Sequence, residues 1–226
     1  MKPTSDGDVI DVLMHTRVLP VLTVHDAGSG DAIAAGLGAG GLPIAEVTLR
    51  TPAALDVIRG MSIGGEVLVG AGTVLSIDDA QRAVDAGARF LVSPGLSESL
   101  AMWCRTNGIA FIPGVVTPTE ALRATDLGLE VVKFFPASVS GGPAWLRAIA
   151  GPLPTLRFVA TGGITDKSLP EYLASPNVLA AGGSWFMPSN GEPNDAERIA
   201  DAVQSLLARV RKIENSTTHR ELGGAA

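Results

Sequence analysis

The sequence is short of the residues on which much enzyme chemistry depends. Its 226 residues include one cysteine, three histidines and four lysines (Lys2, Lys133, Lys167 and Lys212). A single cysteine, Cys104, excludes an intrachain disulfide framework and suits a reducing compartment. It sits in a helical pattern beside Trp103, which suits a buried structural thiol better than a nucleophile. His15, His25 and His219 show no H-x-x-H or H-E-x-x-H spacing, so no metal and no cofactor are expected. Basic residues form no block and the net charge is -6, which argues against nucleic acid as a partner. Mean hydropathy is high at +0.30, yet no stretch approaches the ~18 consecutive apolar residues of a membrane span. The opening residues, MKPTSDGDVI, lack the apolar run of a signal peptide. The expectation is a soluble cytoplasmic protein with no membrane partner.

What is abundant is glycine, at 27 residues, where average usage would give about 16. Short apolar runs recur every 20 to 27 residues: 17–24, 44–50, 66–74, 90–95, 110–116, 131–137, 157–164 and 178–186. Segments of helical character separate them. Those spacings suit a strand followed by a crossover helix. Thr117-Pro118-Thr119-Glu120 has the pattern of a capping box with proline in the first turn. Thr51-Pro52 and Ser76 with Asp79 suggest further helix starts. Gly40-Gly41, Gly64-Gly65, Gly87, Gly108, Gly128 and Gly151 each precede a new run, as glycines that end helices in a left-handed turn do.

Eight apolar strands alternating with helices predict a parallel sheet covered by helices. In a chain of this length, closure into a (β/α)8 TIM barrel is favoured. An open doubly wound sheet would call for G-x-G-x-x-G after the first strand. The text there, VHDAGSGD, has Gly28-x-Gly30 but no glycine at position 33. An extra N-terminal helix is expected near 5–16 and a last helix near 194–212. Residues 1–213 read as one barrel domain and 214–226 as a disordered tail.

Active sites of such barrels lie at the C-terminal ends of the strands. In the second strand, period-two alternation puts Glu46, Thr48 and Arg50 on one face, pointing into the barrel. An internal Glu–Arg pair that only satisfies itself is the plain alternative. In the sixth strand, Lys133 lies among Val131, Val132, Phe134 and Phe135. Lysine is almost never fully buried unless paired. Desolvation favours the neutral amine, and a neutral lysine amine attacks carbonyls to form a Schiff base. A snorkelling lysine, or a mere partner for Glu46, is the alternative. Thr161-Gly162-Gly163 and Gly182-Gly183-Ser184 end the last two strands, where barrels often build a phosphate site. Gly70-Ala71-Gly72-Thr73 and Ser93-Pro94-Gly95 end the third and fourth.

Taken in order, these motifs resemble the 2-keto-3-deoxy-6-phosphogluconate aldolase family, also known for 4-hydroxy-2-oxoglutarate cleavage. The segments that carry the likeness are Glu46 to Thr51, Gly70 to Val74, Ser93 to Gly95, Ile112 to Gly114, Lys133 to Ala137, Thr161 to Ile164 and Gly182 to Trp185. It covers about residues 10–210. It implies a metal-free class I aldolase, usually a homotrimer. Lys133 matches the Schiff-base lysine and Glu46 the proton-shuttling carboxylate. Arg50 and Thr73 match the positions that hold the pyruvate carboxylate, and Thr161 a residue near the aldehyde-side hydroxyl. Gly162, Gly163 and Ser184 match the phosphate pocket. Pro94 and Phe135 complete the expected substrate-binding set.

The expected reaction is cleavage of 2-keto-3-deoxy-6-phosphogluconate to pyruvate and glyceraldehyde 3-phosphate. Cleavage of 4-hydroxy-2-oxoglutarate to pyruvate and glyoxylate is a companion activity. The alternatives are an aldolase for the 6-phosphogalactonate epimer, or a non-aldolase phosphosugar isomerase or synthase barrel.

Overall fold

The computed structural model describes residues 6–188 and 195–223. Helix α1 (Asp6–Thr16) comes first. Eight strand–helix units follow: β1 (Val18–Leu22) with α2 (Gly30–Gly40), β2 (Ile44–Thr48) with α3 (Ala54–Ile63), β3 (Leu68–Gly72) with α4 (Ile77–Asp85), and β4 (Phe90–Ser93) with α5 (Glu98–Asn107). The second half is β5 (Ala110–Val115) with α6 (Pro118–Asp126), β6 (Val131–Phe134) with α7 (Gly142–Ala150), β7 (Arg157–Thr161) with α8 (Leu169–Leu173), and β8 (Val178–Gly183) with α9 (Ala196–Gly223). Every neighbouring pair is parallel, and β8 pairs back onto β1, with Val18 opposite Ala181. The strands close into the expected eight-stranded barrel.

The outward faces of the strands meet the helices. Phe134 stacks on Trp145 of α7 with ring centroids 4.5 Å apart, and Phe158 of β7 meets that indole edge-on at 5.6 Å. Inside, Phe90 fills the space over Gly70, where a Cβ would come within 2.3 Å of the ring. Helix α1 buries Val9 and Leu13 against the barrel. Arg17, between α1 and β1, donates to the carbonyls of Leu173, Val178 and Leu179 and pairs with Glu214 of α9 at 3.3 Å. Among the described residues, no helix is long and apolar enough to cross a membrane.

The local signals held where nothing tertiary competed with them. Gly41 (φ 85°) and Gly108 (φ 65°) end α2 and α5 left-handed. The Ser76 hydroxyl accepts from the Asp79 N–H to cap α4. Thr117 and Glu120 form the full capping box of α6. Three expectations are corrected. Thr51 does not cap α3; its hydroxyl donates to the Val24 carbonyl at 2.5 Å, and the helix starts at Ala54 with no side-chain cap. Gly151 ends α7 with φ -66°, in right-handed backbone. The last helix runs on through Gly223, so residues 214–223, expected as disordered tail, are helical. Residues 224–226 lie outside the described set.

Burial alone would raise the pKa of Glu120. The N–H groups of Val116 and Thr117 and the Thr117 hydroxyl outweigh it and hold the carboxyl below its ordinary value. A depressed carboxyl pKa contributes stability that is present above the unfolded value of about 4.3 and lost as pH falls through the folded value. Urea unfolding at pH 7 should show Thr117→Ala destabilised by about 1 kcal/mol. It should also show Glu120→Gln less stable than wild type. That second gap should close in acid, and a gap independent of pH would contradict the role of the charge.

Candidate active site

Parallel pairing puts all eight strand C-termini at one end of the barrel. Lys133 lies in β6, in register with Gly114 of β5 and Val159 of β7. Glu46 lies in β2, which is opposite β6 in the ring of eight. Their side chains meet inside: Lys133 Nζ is 3.1 Å from Glu46 Oε1 and 3.3 Å from Oε2. The pair is almost removed from solvent, with residue exposures of 5% and 1%. Gly72 makes room for it, since a Cβ there would come within 2.1 Å of Glu46 Oε1. Lys133 Nζ also lies 5.2 Å from the centroid of the Phe135 ring. Of the two cations weighed as partners for Glu46, the structure chooses Lys133 and not Arg50.

Arg50 is exposed and lies two residues past the end of β2. Its Nε donates to Thr73 Oγ1 at 3.1 Å. Thr73 follows β3 directly and has φ 59°, in the left-handed region. For a β-branched residue this conformation costs on the order of 1–3 kcal/mol. Thr48, on the same face of β2 as Glu46, is fully buried. It donates to the Leu22 carbonyl at 3.1 Å and lies 2.9 Å from the Thr23 hydroxyl. Alternation along β2 had already placed it there. Pro94 follows β4, half-buried, and its carbonyl packs against Gly114, where a Cβ would approach it to 2.1 Å. Phe135 follows β6 in a turn.

Thr161 ends β7 opposite Gly182 of β8. It is 5% exposed, and its Oγ1 has no hydrogen-bond partner. Gly182 leaves space beside that hydroxyl, since a Cβ there would lie 2.5 Å from it. The β7 loop is then tied to the β6 loop. Ala137 N donates to Thr161 O at 2.8 Å and Ser138 N to Gly162 O at 3.0 Å. Gly162 (φ 103°) and Gly163 (φ 72°) carry that loop on in left-handed backbone. Ser184 is exposed just after β8. Glu46 and Lys133 therefore lie within β2 and β6, and the other site residues anticipated from sequence lie at or just beyond the C-terminal ends of their strands. Arg50, Thr73, Pro94 and Phe135 sit in turns, not in the strands as the sequence runs suggested. Among the described residues, no three His, Cys, Asp or Glu side chains cluster as a metal site requires.

An amine and a carboxylate held 3.1 Å apart in a nearly dry barrel mouth are the two groups that carbonyl chemistry needs: a nucleophile and a proton carrier. Fold and site together define a (β/α)8-barrel enzyme of the lyase kind. The chain belongs to the KDPG and KHG aldolase family, whose model matches residues 9–202. It is 43% identical over 201 residues to a 2-dehydro-3-deoxy-phosphogluconate aldolase of Treponema pallidum, covering 88% of this chain and 96% of that one. It is 43% identical over 198 residues to the KHG/KDPG aldolase of Escherichia coli K12, covering 87% and 93%. Its fold matches the KDPG aldolase of Legionella pneumophila, solved with pyruvate captured at low pH as a covalent carbinolamine intermediate. That match has a TM-score of 0.82 and 36% identity, over 89% of this chain and 98% of that one.

A buried ion pair is weak support for a fold, but breaking one side of it is costly. Lys133→Met should lower unfolding free energy by roughly 3–5 kcal/mol, because the Glu46 carboxylate stays buried without its partner. Lys133→Met combined with Glu46→Leu should recover most of that loss. Equal destabilisation of the single and double variants in urea titrations would contradict the pairing.

Proposed function

We propose that the protein is a class I aldolase that cleaves 2-keto-3-deoxy-6-phosphogluconate to pyruvate and glyceraldehyde 3-phosphate. The observation that carries this reading is the buried contact between Lys133 and Glu46. Lys133 passes a proton to Glu46, and its free amine adds to the C2 ketone. Glu46 gives that proton to the carbinolamine hydroxyl, which leaves as water. The product is an iminium, an electron sink, and Glu46 is a carboxylate again. Glu46, directly or through a water, takes the C4 hydroxyl proton, and the C3–C4 bond breaks with its electrons moving toward the iminium. The aldehyde leaves. Glu46 returns a proton to C3 of the enamine, and water then releases pyruvate from Lys133. The carbinolamine trapped in the Legionella relative supports the same path here.

The remaining residues bind. Arg50 suits the substrate carboxylate because its guanidinium fork can hold two oxygens, and Thr73 orients that fork through its hydroxyl. The unpartnered Thr161 hydroxyl faces the C4 side of the substrate. Gly162, Gly163 and Ser184 offer N–H groups and a hydroxyl to the phosphate. Pro94 and Phe135 wall the pyruvate end. The E. coli relative, by its name, also acts on KHG, and 4-hydroxy-2-oxoglutarate is the companion substrate proposed here.

Lys133→Ala should abolish cleavage. Glu46→Gln should lower kcat by about 10²–10⁴-fold, the usual contribution of one acid/base group. Borohydride with pyruvate should add a stable mass at Lys133. Cleavage that continues with no adduct there would overturn the Schiff-base reading.

Residues 1–213 act as one barrel unit in this reading, working in the cytoplasm as a homotrimer. Exposed apolar side chains support assembly: Leu75 in the loop just before α4, Ile77 at the start of α4, Met102 on α5 and Leu122 on α6. Surfaces with clustered apolar residues mark contact sites. Light scattering should return three times the 23.1 kDa chain mass. A monomer or dimer mass would reject the trimer.

A further inference from the structure

Three segments of the chain meet on a single carboxylate oxygen outside the barrel mouth. Asp166 lies in the loop after β7, three residues past Gly163. Its Oδ1 accepts from the indole Nε1 of Trp185 at 2.9 Å and from Nη2 of Arg209 in α9 at 3.0 Å. Trp185 belongs to the loop after β8 and follows Ser184 directly. Its ring folds back over Gly183, where a Cβ would come within 2.3 Å of it, and meets the Phe186 ring edge-on at 5.3 Å. The turn that carries Asp166 is closed by bonds between the residues on either side of it. Ser168 N donates to Thr165 O at 3.1 Å, and Thr165 N donates to Ser168 Oγ at 3.0 Å. The two loops that carry Gly162-Gly163 and Gly183-Ser184 are thus fastened to each other and to α9 through one side chain. No sequence motif marked Asp166, because its partners lie 19 and 43 positions away.

We infer that Asp166, with Trp185, is a positioning residue for the phosphate end of the substrate. The inference rests on the phosphate site proposed above. N–H donors from two separate loops hold one phosphate well only if the loops keep a fixed spacing, and a displacement near 1 Å can cost up to about 10²-fold. Asp166 fixes that spacing without touching substrate. It acts on loops after β7 and β8, whereas Lys133 and Glu46 sit in β6 and β2. Its loss should therefore weaken the grip on phosphate and leave the carbonyl chemistry intact.

The test compares full-length Asp166→Ala, Asp166→Asn and Trp185→Phe with wild type in three readouts. These are steady-state cleavage of 2-keto-3-deoxy-6-phosphogluconate, inhibition by inorganic phosphate, and solvent exchange of the pyruvate methyl protons. Exchange uses Lys133 and Glu46 but no phosphate. Asp166→Ala should raise KM and the phosphate inhibition constant together, by about 10-fold, with kcat and exchange within about two-fold. Trp185→Phe keeps a ring over Gly183 but loses the N–H, and should move the same two constants by about 3-fold. Asp166→Asn and Trp185→Phe carry the test if Asp166→Ala does not fold. Unchanged KM and phosphate inhibition would overturn the inference, as would an equal fall in exchange and cleavage. A wild-type protein that fails to exchange pyruvate protons would instead overturn the aldolase reading itself.

Discussion

The contact between Lys133 and Glu46 crosses the barrel from β6 to β2, and much of the interior is arranged around it. The interior of an eight-stranded barrel is just wide enough for side chains to fill. A lysine and a glutamate can meet there only where neighbouring strands give up volume. Gly72 does so beside the carboxylate, where a Cβ would come within 2.1 Å of Glu46 Oε1. Phe90 fills the space above Gly70 that a larger residue would have taken. Two desolvated charges add little to stability and often detract from it. In the proposed aldolase reading the pair serves chemistry: each supplies the other with a place for the proton.

Around that pair, rigid and irregular parts divide the work. Strands hold Lys133, Glu46 and Thr161, whose positions must be reproducible. Turns just past the strand ends hold Arg50, Thr73, Pro94 and Phe135. The left-handed Thr73 is strained, and the strain aims its hydroxyl at Arg50. Such strain persists only where surrounding structure over-determines it. The β7 and β8 loops are the loosest part of the mouth in sequence terms, rich in glycine. Tertiary contacts compensate, through backbone bonds to the β6 loop and through the Asp166 carboxylate.

Local rules and tertiary competition explain which elements were legible. The α6 capping box needs four consecutive residues and nothing else, so Thr117 and Glu120 were readable as such. Thr51-Pro52 offered half of the same signal, but the Val24 carbonyl of the neighbouring unit lies within reach of the Thr51 hydroxyl and takes it. Gly151 lies before a strand like the other helix-ending glycines, yet its turn closes without positive φ. The end of α9 was misread because residues 214–223 look polar and solvated. Part of what accompanies their helical continuation is Glu214 against Arg17, a residue some 200 positions earlier. Pairings at that separation leave no periodic trace.

The amino-acid sequence alone determined the eight-fold strand–helix alternation, because hydrophobic period and turn residues are local properties. It also singled out Lys133, the one lysine set in an apolar strand, and placed Glu46 on an inward face. Which cation Glu46 would meet was open, because alternation gives a face and not a partner. Only closure of the barrel put β2 opposite β6 and brought Nζ to 3.1 Å from the carboxylate. Closure likewise left Arg50 to Thr73, left the Thr161 hydroxyl without a partner at the mouth, and joined the two glycine loops through Asp166. These are contacts between strands, loops and helices distant in the chain, and their geometry exists only once the sheet has closed.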